Sequence, residues 1–253
     1  MNVISSAILK SAKGLLRDFG EIERLQVSEK SLGNFVSSAD LRIEKTLSTE
    51  LHKARPSFGM ITEESGEMIP VGESESRWII DPLDGTKNFI HGIPHFAISV
   101  ALEQRGEIIA GITYDPIKDE MFAAEKGCGA FMNDKRLRVS NRKAMSESLI
   151  ATGPSLVHGT DHFNTLQKIH SKIFGFRRMG ASSLDLAYVA AGRLDAFIEM
   201  SPLIWDTAVG SLLVLEAGGI ITTIDGKQRL DIEGSILASN NNVHSDLVQT
   251  FKS

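Results

Sequence analysis

Apolar residues recur three and four positions apart at the start of the chain. Val3, Ile4, Ala7, Ile8, Leu15 and Leu16 form one stripe, which predicts an amphipathic helix over residues 2 to 19. Gly20 reads as its stop, and the polar, weakly periodic residues 20 to 36 read as a loop. Ser37 or Ser38 then caps a second helix, with Leu41, Ile43, Leu47 and Leu51 as its apolar positions and Pro56 as its end.

The texture changes at Phe58. FGMIT and RWIID are short apolar runs flanked by turn residues and read as buried strands. FAISVALEQRGEIIAGITYDP reads as two strands joined at Arg105-Gly106, and MFAAEKGCGAFMN as a further hairpin with Gly127 and Gly129. The second half alternates. ESLIATG, LDAFIEM, GGIITTID and SILASN read as strands, and residues 161 to 174, 181 to 191, 205 to 217 and 242 to 251 as helices. This predicts a mixed α/β fold with helices covering sheet faces. Two intimately packed subdomains are expected, about 1 to 143 (helix pair plus antiparallel sheet) and 144 to 253 (an α/β unit), with a boundary near residues 140 to 147.

Composition narrows the chemistry. At 253 residues the chain is long enough for an ample core, and 42% hydrophobic with 23% charged residues is ordinary for a globular protein. A formal net charge of -5 disfavours nucleic-acid and membrane-surface binding, both of which call for basic patches. A phosphate ligand would therefore need positive charge from a metal. The single cysteine, Cys128, excludes an internal disulfide and a cysteine zinc site, and reads as a small packing residue. The N-terminal stripe is broken by Lys10, Lys13 and Arg17, unlike a signal peptide, and no window reaches ~18 uncharged apolar residues. The expected location is the cytoplasm.

Chemistry concentrates in WIIDPLDGTKNF, residues 78 to 89. The strand is expected to end at Asp81, because Pro82 cannot continue a central ladder. Asp84 and Gly85 then make a turn before a short helix opened by Thr86. Two carboxylates so close on a rigid turn suit a hard divalent cation, and the Gly85 and Thr86 amides at a helix start suit an anion. The bland alternative, a β-turn with a capping aspartate, leaves Asp81 beside a proline unexplained. A D-x-D-G-T phosphoaspartate mechanism is excluded, because the residue two before Asp84 is Pro82. Glu63 and Glu64 follow another strand end, although surface glutamate pairs are usually only solvated. Asp206, after Trp205, is a helix cap by default and a fourth metal carboxylate otherwise. His91 and His95 read as structural, since magnesium prefers oxygen ligands.

E-E-S after a strand, W-I-I-D-P-L-D-G-T-K-N-F and W-D-T-A-V-G-S-L-L-V-L-E-A-G-G together resemble the signatures of the inositol monophosphatase family, in the same order, over residues from about 38 to 219. The resemblance implies a layered α/β/α/β/α sandwich, a homodimer, sensitivity to lithium, and two or three Mg²⁺ ions per site. It implies that Glu63, Asp81 and the Leu83 carbonyl hold a first ion, that Asp81 bridges to a second held by Asp84 and Asp206, and that a third sits near Glu63 through waters. Asp40, in SSAD, is implied to polarise the attacking water with Thr86, and a mobile loop is implied at 26 to 37 with Lys30 near the site.

In RRMGASSLDLAYVAAGRLDAFIE, which matches the family's substrate-contact segment, Gly180, Ala181 and Ser182 are implied to face the sugar and Glu199 to accept hydrogen bonds from its hydroxyls. Most of Ala181 to Ala191 reads as core packing. Three departures bear on specificity. Leu203 stands where animal members often have His, Lys87 replaces a small polar residue, and Ser182 stands where several members have Ala. The implied reaction is Mg²⁺-dependent hydrolysis of a phosphate monoester, with myo-inositol monophosphate as the first candidate. Histidinol phosphate, fructose 1,6-bisphosphate and bisphosphate nucleotides follow. Bacterial members also suggest a partner in the transcription machinery.

Overall fold

Burial alternates along the longest strand and thereby sets the layers. In β3 (Ser76–Asp84), Trp78 and Ile80 enter one core while Ile79 between them enters another, as a strand covered on both faces requires. The computed structural model describes residues 1–22, 29–153, 167–228 and 234–252.

The first sheet also contains β1 (Gly59–Thr62), β2 (Gly66–Met68), β4 (Ala97–Gln104), β5 (Glu107–Asp115), β6 (Glu120–Glu125), β7 (Gly129–Met132) and β8 (Lys135–Arg136). Their order is β2-β1-β3-β4-β5-β6-β7-β8, antiparallel except for the parallel β1–β3 pair. One face carries α1 (Asn2–Ile22) and α2 (Glu29–Ala54), whose Ile4, Ile8, Leu15, Leu47 and Leu51 meet Trp78, Ile80, Ile98 and Val100. Between β3 and β4 lies the short α3 (Thr86–Ile90).

The other face packs on α4 (Ser182–Ala190) and α5 (Ile204–Glu216), which are sandwiched against a second sheet. That sheet comprises β9 (Leu149–Thr152), β10 (Gly175–Arg177), β11 (Ala196–Glu199), β12 (Ile220–Thr222) and β13 (Ile236–Ser239), in the order β10-β9-β11-β13-β12. The same alternation recurs there, with Phe197 facing the helices and Ala196 and Ile198 facing the outer core. The last helix, α6 (His244–Lys252), and Ile169 close that outer core. Helix pair, sheet, helix pair, sheet and helix make the five expected layers. The middle helices touch closely at Gly210, where an added Cβ would lie 2.4 Å from the Leu186 Cβ.

Some elements differ from expectation. Gly20 does not stop α1, because its φ is not positive and it remains helical to Ile22. The segment expected to be a loop is helical from Glu29, so Ser37 and Ser38 are interior residues of α2 and not caps. Glu29, Lys30 and Leu32 are good helix formers, and lack of an apolar stripe hid the helix. The side chain of Lys30 lies outside the described residues. Of the expected helix 161 to 174, residues 161–166 also lie outside them, while 167–170 are helical. Arg105 and Gly106 both have positive φ (54° and 78°), as the tight hairpin requires. Cys128 is exposed in its turn and does not pack.

Candidate active site

β3 does not end at Asp81. It continues to Asp84 through an irregularity: Asp81 lies opposite Ser99 and Asp84 opposite Ala97, so three steps on β3 face two on β4. This bulge accommodates Pro82, which has no N–H to give the ladder. It also undoes strand alternation, under which residues three apart would point to opposite faces. The Asp81 and Asp84 carboxyls instead act on each other strongly enough for Asp84 to raise the pKa of Asp81. The Leu83 N–H donates to Asp81 Oδ1 at 3.0 Å and Thr86 Oγ1 donates to the Leu83 carbonyl at 3.0 Å. Gly85 is left-handed (φ 92°) against the 95–96 backbone, where an added Cβ would come 3.0 Å from the His95 carbonyl oxygen.

Two further carboxyls converge here. Glu63 follows the end of β1, its N–H donating to the Ile80 carbonyl at 3.3 Å, and its carboxyl raises the pKa of Asp81. Asp206 stands in the first turn of α5, where it accepts the Leu203 N–H at 3.3 Å. It is therefore both the helix cap and a member of the cluster. Burial first, and then the neighbouring acids, push every one of the four upward. Asp81 is raised by Asp84, Glu63 and Asp206, and Asp84 reaches about 7 against the pull of the Ser183 donors. Asp206 reaches about 8 under burial, Asp84 and Glu199, and Glu63 is raised by burial. Among the described residues no Lys, Arg or His forms an ion pair with any of them.

Asp40 lies on α2 facing the same edge. It is buried, its Oδ1 has no hydrogen-bond partner, and burial together with Glu64, Glu63 and Glu44 raises it to about 7. Glu44, one turn further along α2, accepts the Glu64 N–H at 2.9 Å and so fastens the loop that carries Glu63.

The opposite wall is the start of α4. Gly180 is left-handed (φ 84°) and packs on Asn88, whose amide donates to the carbonyls of His95 and Met179 at 2.7 Å each. Ala181 is the N-cap. Ser182 Oγ donates to Glu199 Oε2 at 3.0 Å, so the buried glutamate of β11 has a hydroxyl partner. Ser183 N–H and Oγ both donate to Asp84 Oδ2, the N–H at 2.8 Å. Sequence reasoning overlooked Ser183, Glu44 and Asp185. The signal for Asp185 was available as an acid inside an apolar helix, whereas nothing distinguishes Ser183 from its neighbour before the fold is known.

The other candidates stand apart from the cluster. His91 and Lys87 are exposed, and burial lowers the pKa of His95, whose Nε2 has no partner. Leu203 is exposed beside the Asp206 cap. Among the described residues no three His, Cys, Asp or Glu side chains close to metal-holding geometry. The donor set nevertheless fits a hard divalent cation. It is all oxygen on strand and helix ends, and Asp81, 1% exposed, has one backbone N–H against three like charges.

Residues 2–253 match the inositol monophosphatase family. The chain is 49% identical to the inositol-1-monophosphatase of Rhizobium meliloti, covering 100% of this chain and 96% of that one. It is 38% identical to the Nus factor SuhB of Pseudomonas aeruginosa, covering 100% and 95%. The crystal structure of the extragenic suppressor protein suhB from Bartonella henselae superposes with a TM-score of 0.90 at 44% identity, over 100% of this chain and 98% of that one.

Proposed function

We propose, on the premise that this chain belongs to the inositol monophosphatase family, that it is a Mg²⁺-dependent phosphatase hydrolysing myo-inositol monophosphate. Phosphatase activity follows from the family; the metal and the substrate are the proposal. One observation carries it. Glu63, Asp81, Asp84 and Asp206, from three separate segments, come together with all four pKa values raised, first by burial, and Glu63 and Asp84 each add to the shift of their neighbours, with no basic side chain paired to the four among the described residues. Such a group of acids is tolerable when a cation neutralises it.

In this reading Glu63, Asp81 and the Leu83 carbonyl would hold one ion, Asp81, Asp84 and Asp206 would hold a second, and Glu63 would help to hold a third through waters. Bound magnesium supplies charge neutralisation at the phosphoryl oxygens and a more acidic water. The chain's own residues do the placing. Thr86, already bonded to the Leu83 carbonyl, and Asp40, with an oxygen free, orient the attacking water, and Asp40 accepts its proton. Gly85 and Thr86 offer backbone N–H groups to the phosphate. Gly180, Ala181, Ser182 and Glu199, the last already accepting from Ser182, line the polyol side, where Glu199 accepts hydrogen bonds from the ring hydroxyls. Water attacks phosphorus in line as the P–O bond to the polyol breaks, the departing alkoxide oxygen takes a proton from solvent water to leave as the free hydroxyl, and no residue is phosphorylated.

A homodimer in the cytoplasm completes this reading; among the described residues no helix is long and apolar enough to cross a membrane. The relatives named Nus factor SuhB favour one additional role, binding to the transcription machinery. Phosphate release from myo-inositol 1-phosphate, histidinol phosphate and fructose 1,6-bisphosphate, with and without Mg²⁺, tests the proposal. The inositol ester is expected to have the highest kcat/KM, and equal turnover in excess chelator rejects the metal cage.

A further inference from the structure

Asp185 is a buried acid that the reaction described above does not use. It lies in α4, its N–H donating to the Ala181 carbonyl at 3.0 Å, and it is 0% exposed. Neither of its carboxyl oxygens has a hydrogen-bond partner among the described residues. A polar group in that condition carries a desolvation penalty that an apolar side chain of the same branched shape would avoid. The rest of SSLDLAYVA is small or apolar, so packing alone gives no reason for an acid there.

Its surroundings supply one. The charges that act on Asp185 are those of Asp84 and Glu199. Ser182, three residues earlier and so on the same helix face, donates to Glu199, and Ser183 grips Asp84. The start of α4 thus presents two hydroxyls and a carboxyl to two acids that come from different sheets, Asp84 from β3 and Glu199 from β11. A water enclosed among three carboxyl groups would have the two to four polar partners that an internal water needs.

We propose that Asp185 is a positioning residue of this site, joined through one enclosed water to the carboxyls of Asp84 and Glu199, and so fixing the metal-holding acid relative to the substrate-facing one. This rests on the metal-cage reading. Its consequence is double. Without Asp185, Asp84 is braced by Ser183 alone and metal affinity falls, while Glu199 shifts and KM for the polyol ester rises.

The test compares Asp185→Leu, which keeps the branched shape and the number of side-chain heavy atoms and removes polarity, with Asp185→Asn, which keeps both a donor and an acceptor for the water. Mg²⁺ is titrated by thermal shift in the absence of substrate and by phosphate release from myo-inositol 1-phosphate. The leucine variant is expected to need about 10–100-fold more Mg²⁺ for half-saturation in both readouts, and the asparagine variant no more than about threefold. The metal-free melting temperature of the leucine variant should equal or exceed that of the unaltered chain, which separates positioning from simple unfolding. The idea fails if both variants match the unaltered chain, or if asparagine loses as much as leucine. Should the leucine variant not fold, a high-resolution crystal structure of the unaltered chain decides, because absence of a water bridging Asp185 and Asp84 overturns the proposal. No Mg²⁺ response in the unaltered chain sinks the cage and this inference together, whereas a normal response with an indifferent leucine variant sinks only the role of Asp185.

Discussion

Two regions of the molecule bury carboxylates in opposite ways. Asp195 and Asp115 are both 0% exposed, yet each is surrounded by donors. Asp195 accepts from Ser140 Oγ at 2.5 Å, Arg142 at 3.1 Å and the Leu149 N–H at 2.8 Å, tying residues 140 to 142 to β9. Asp115 accepts the N–H groups of Ile117 and Lys118 at 2.9 and 3.0 Å and the Lys118 ammonium at 2.5 Å. Asp81, as deeply buried, receives one backbone N–H and faces Asp84, Glu63 and Asp206. A structural carboxylate brings its own cation and donors. The clustered acids at the end of β3 have a few donors but no cation among the described residues, and they face one another, which makes them costly alone and useful once a cation arrives.

The sharpest way to break this contrast is to neutralise one acid of each kind. Under the proposed cage, Asp81→Asn should lower Mg²⁺-dependent turnover about a thousandfold or more, equivalent to ~4 kcal/mol of barrier. The same change should leave metal-free melting unchanged or raised, because it removes a buried like charge. Asp195→Ala should do the reverse. It orphans the Leu149 N–H and the Ser140 hydroxyl, so stability should drop by about 2–3 kcal/mol while turnover per folded molecule is retained. Urea melts and steady-state assays on both proteins read the two effects. An Asp81→Asn variant that unfolds more readily than Asp195→Ala would erase the distinction.

The pH dependence of the metal-free chain tests the same contrast less drastically. Asp40 and Asp84 are raised to about 7 and Asp206 to about 8, against an ordinary value of 3.8. A carboxyl raised in the folded state favours folding while protonated. Its stabilisation is full below the unfolded pKa, near 4, and is lost as pH rises through 7 to 8. The melting temperature in chelator should therefore fall between pH 5 and pH 8.5, and added Mg²⁺ should restore more at the upper end. A metal-free melting temperature that rises over that interval would contradict the crowded-acid picture.

The legible and hidden parts of this molecule divide along the range of the interactions involved. Helices α1, α4, α5 and α6 and the long strands announce themselves through local periodicity, whereas the order of layers is what the family resemblance implies. The strands β2, β8 and β10, of two or three residues each, are too short for a period to register. Asp81 and Asp84 stand out because a second acid beside a proline at a strand end has little structural excuse, whereas Glu63 and Asp206, by default a solvated acid and a helix cap, gain their place from the other motifs and the family resemblance. How Asp81 and Asp84 come to face each other was not legible. Pro82 reads as a stop, and only the pairing of β3 with β4 shows that the residue is taken up in a bulge. Ser183 was hidden for a similar reason, since its partner Asp84 is 99 positions away. Asp185 was visible as an anomaly but was absorbed into the core-packing helix, although a buried acid in that setting carries its own question.

Glu199 falls between the two kinds of carboxylate, and the smallest expected effect distinguishes which kind it is. It is buried on β11 and accepts the Ser182 hydroxyl, but the room it occupies depends on Gly153 at the end of β9. A Cβ at Gly153 would sit 2.1 Å from the Glu199 carboxyl carbon, closer than any packing allows. The backbone there cannot yield easily, because the Gly153 N–H is bonded to the Ile198 carbonyl at 3.1 Å, so the glutamate must move. If Glu199 receives polyol hydroxyls, Gly153→Ala should lower kcat/KM for myo-inositol 1-phosphate by about tenfold, or ~1.4 kcal/mol. p-Nitrophenyl phosphate, which has no ring hydroxyls to offer, should lose much less, and the Mg²⁺ needed for half-saturation should stay within about twofold, since the four cage acids keep their places. Equal losses on both esters would assign Glu199 to the cage. An unchanged preference with normal folding would mean that Glu199 is held for structure, as Asp195 is.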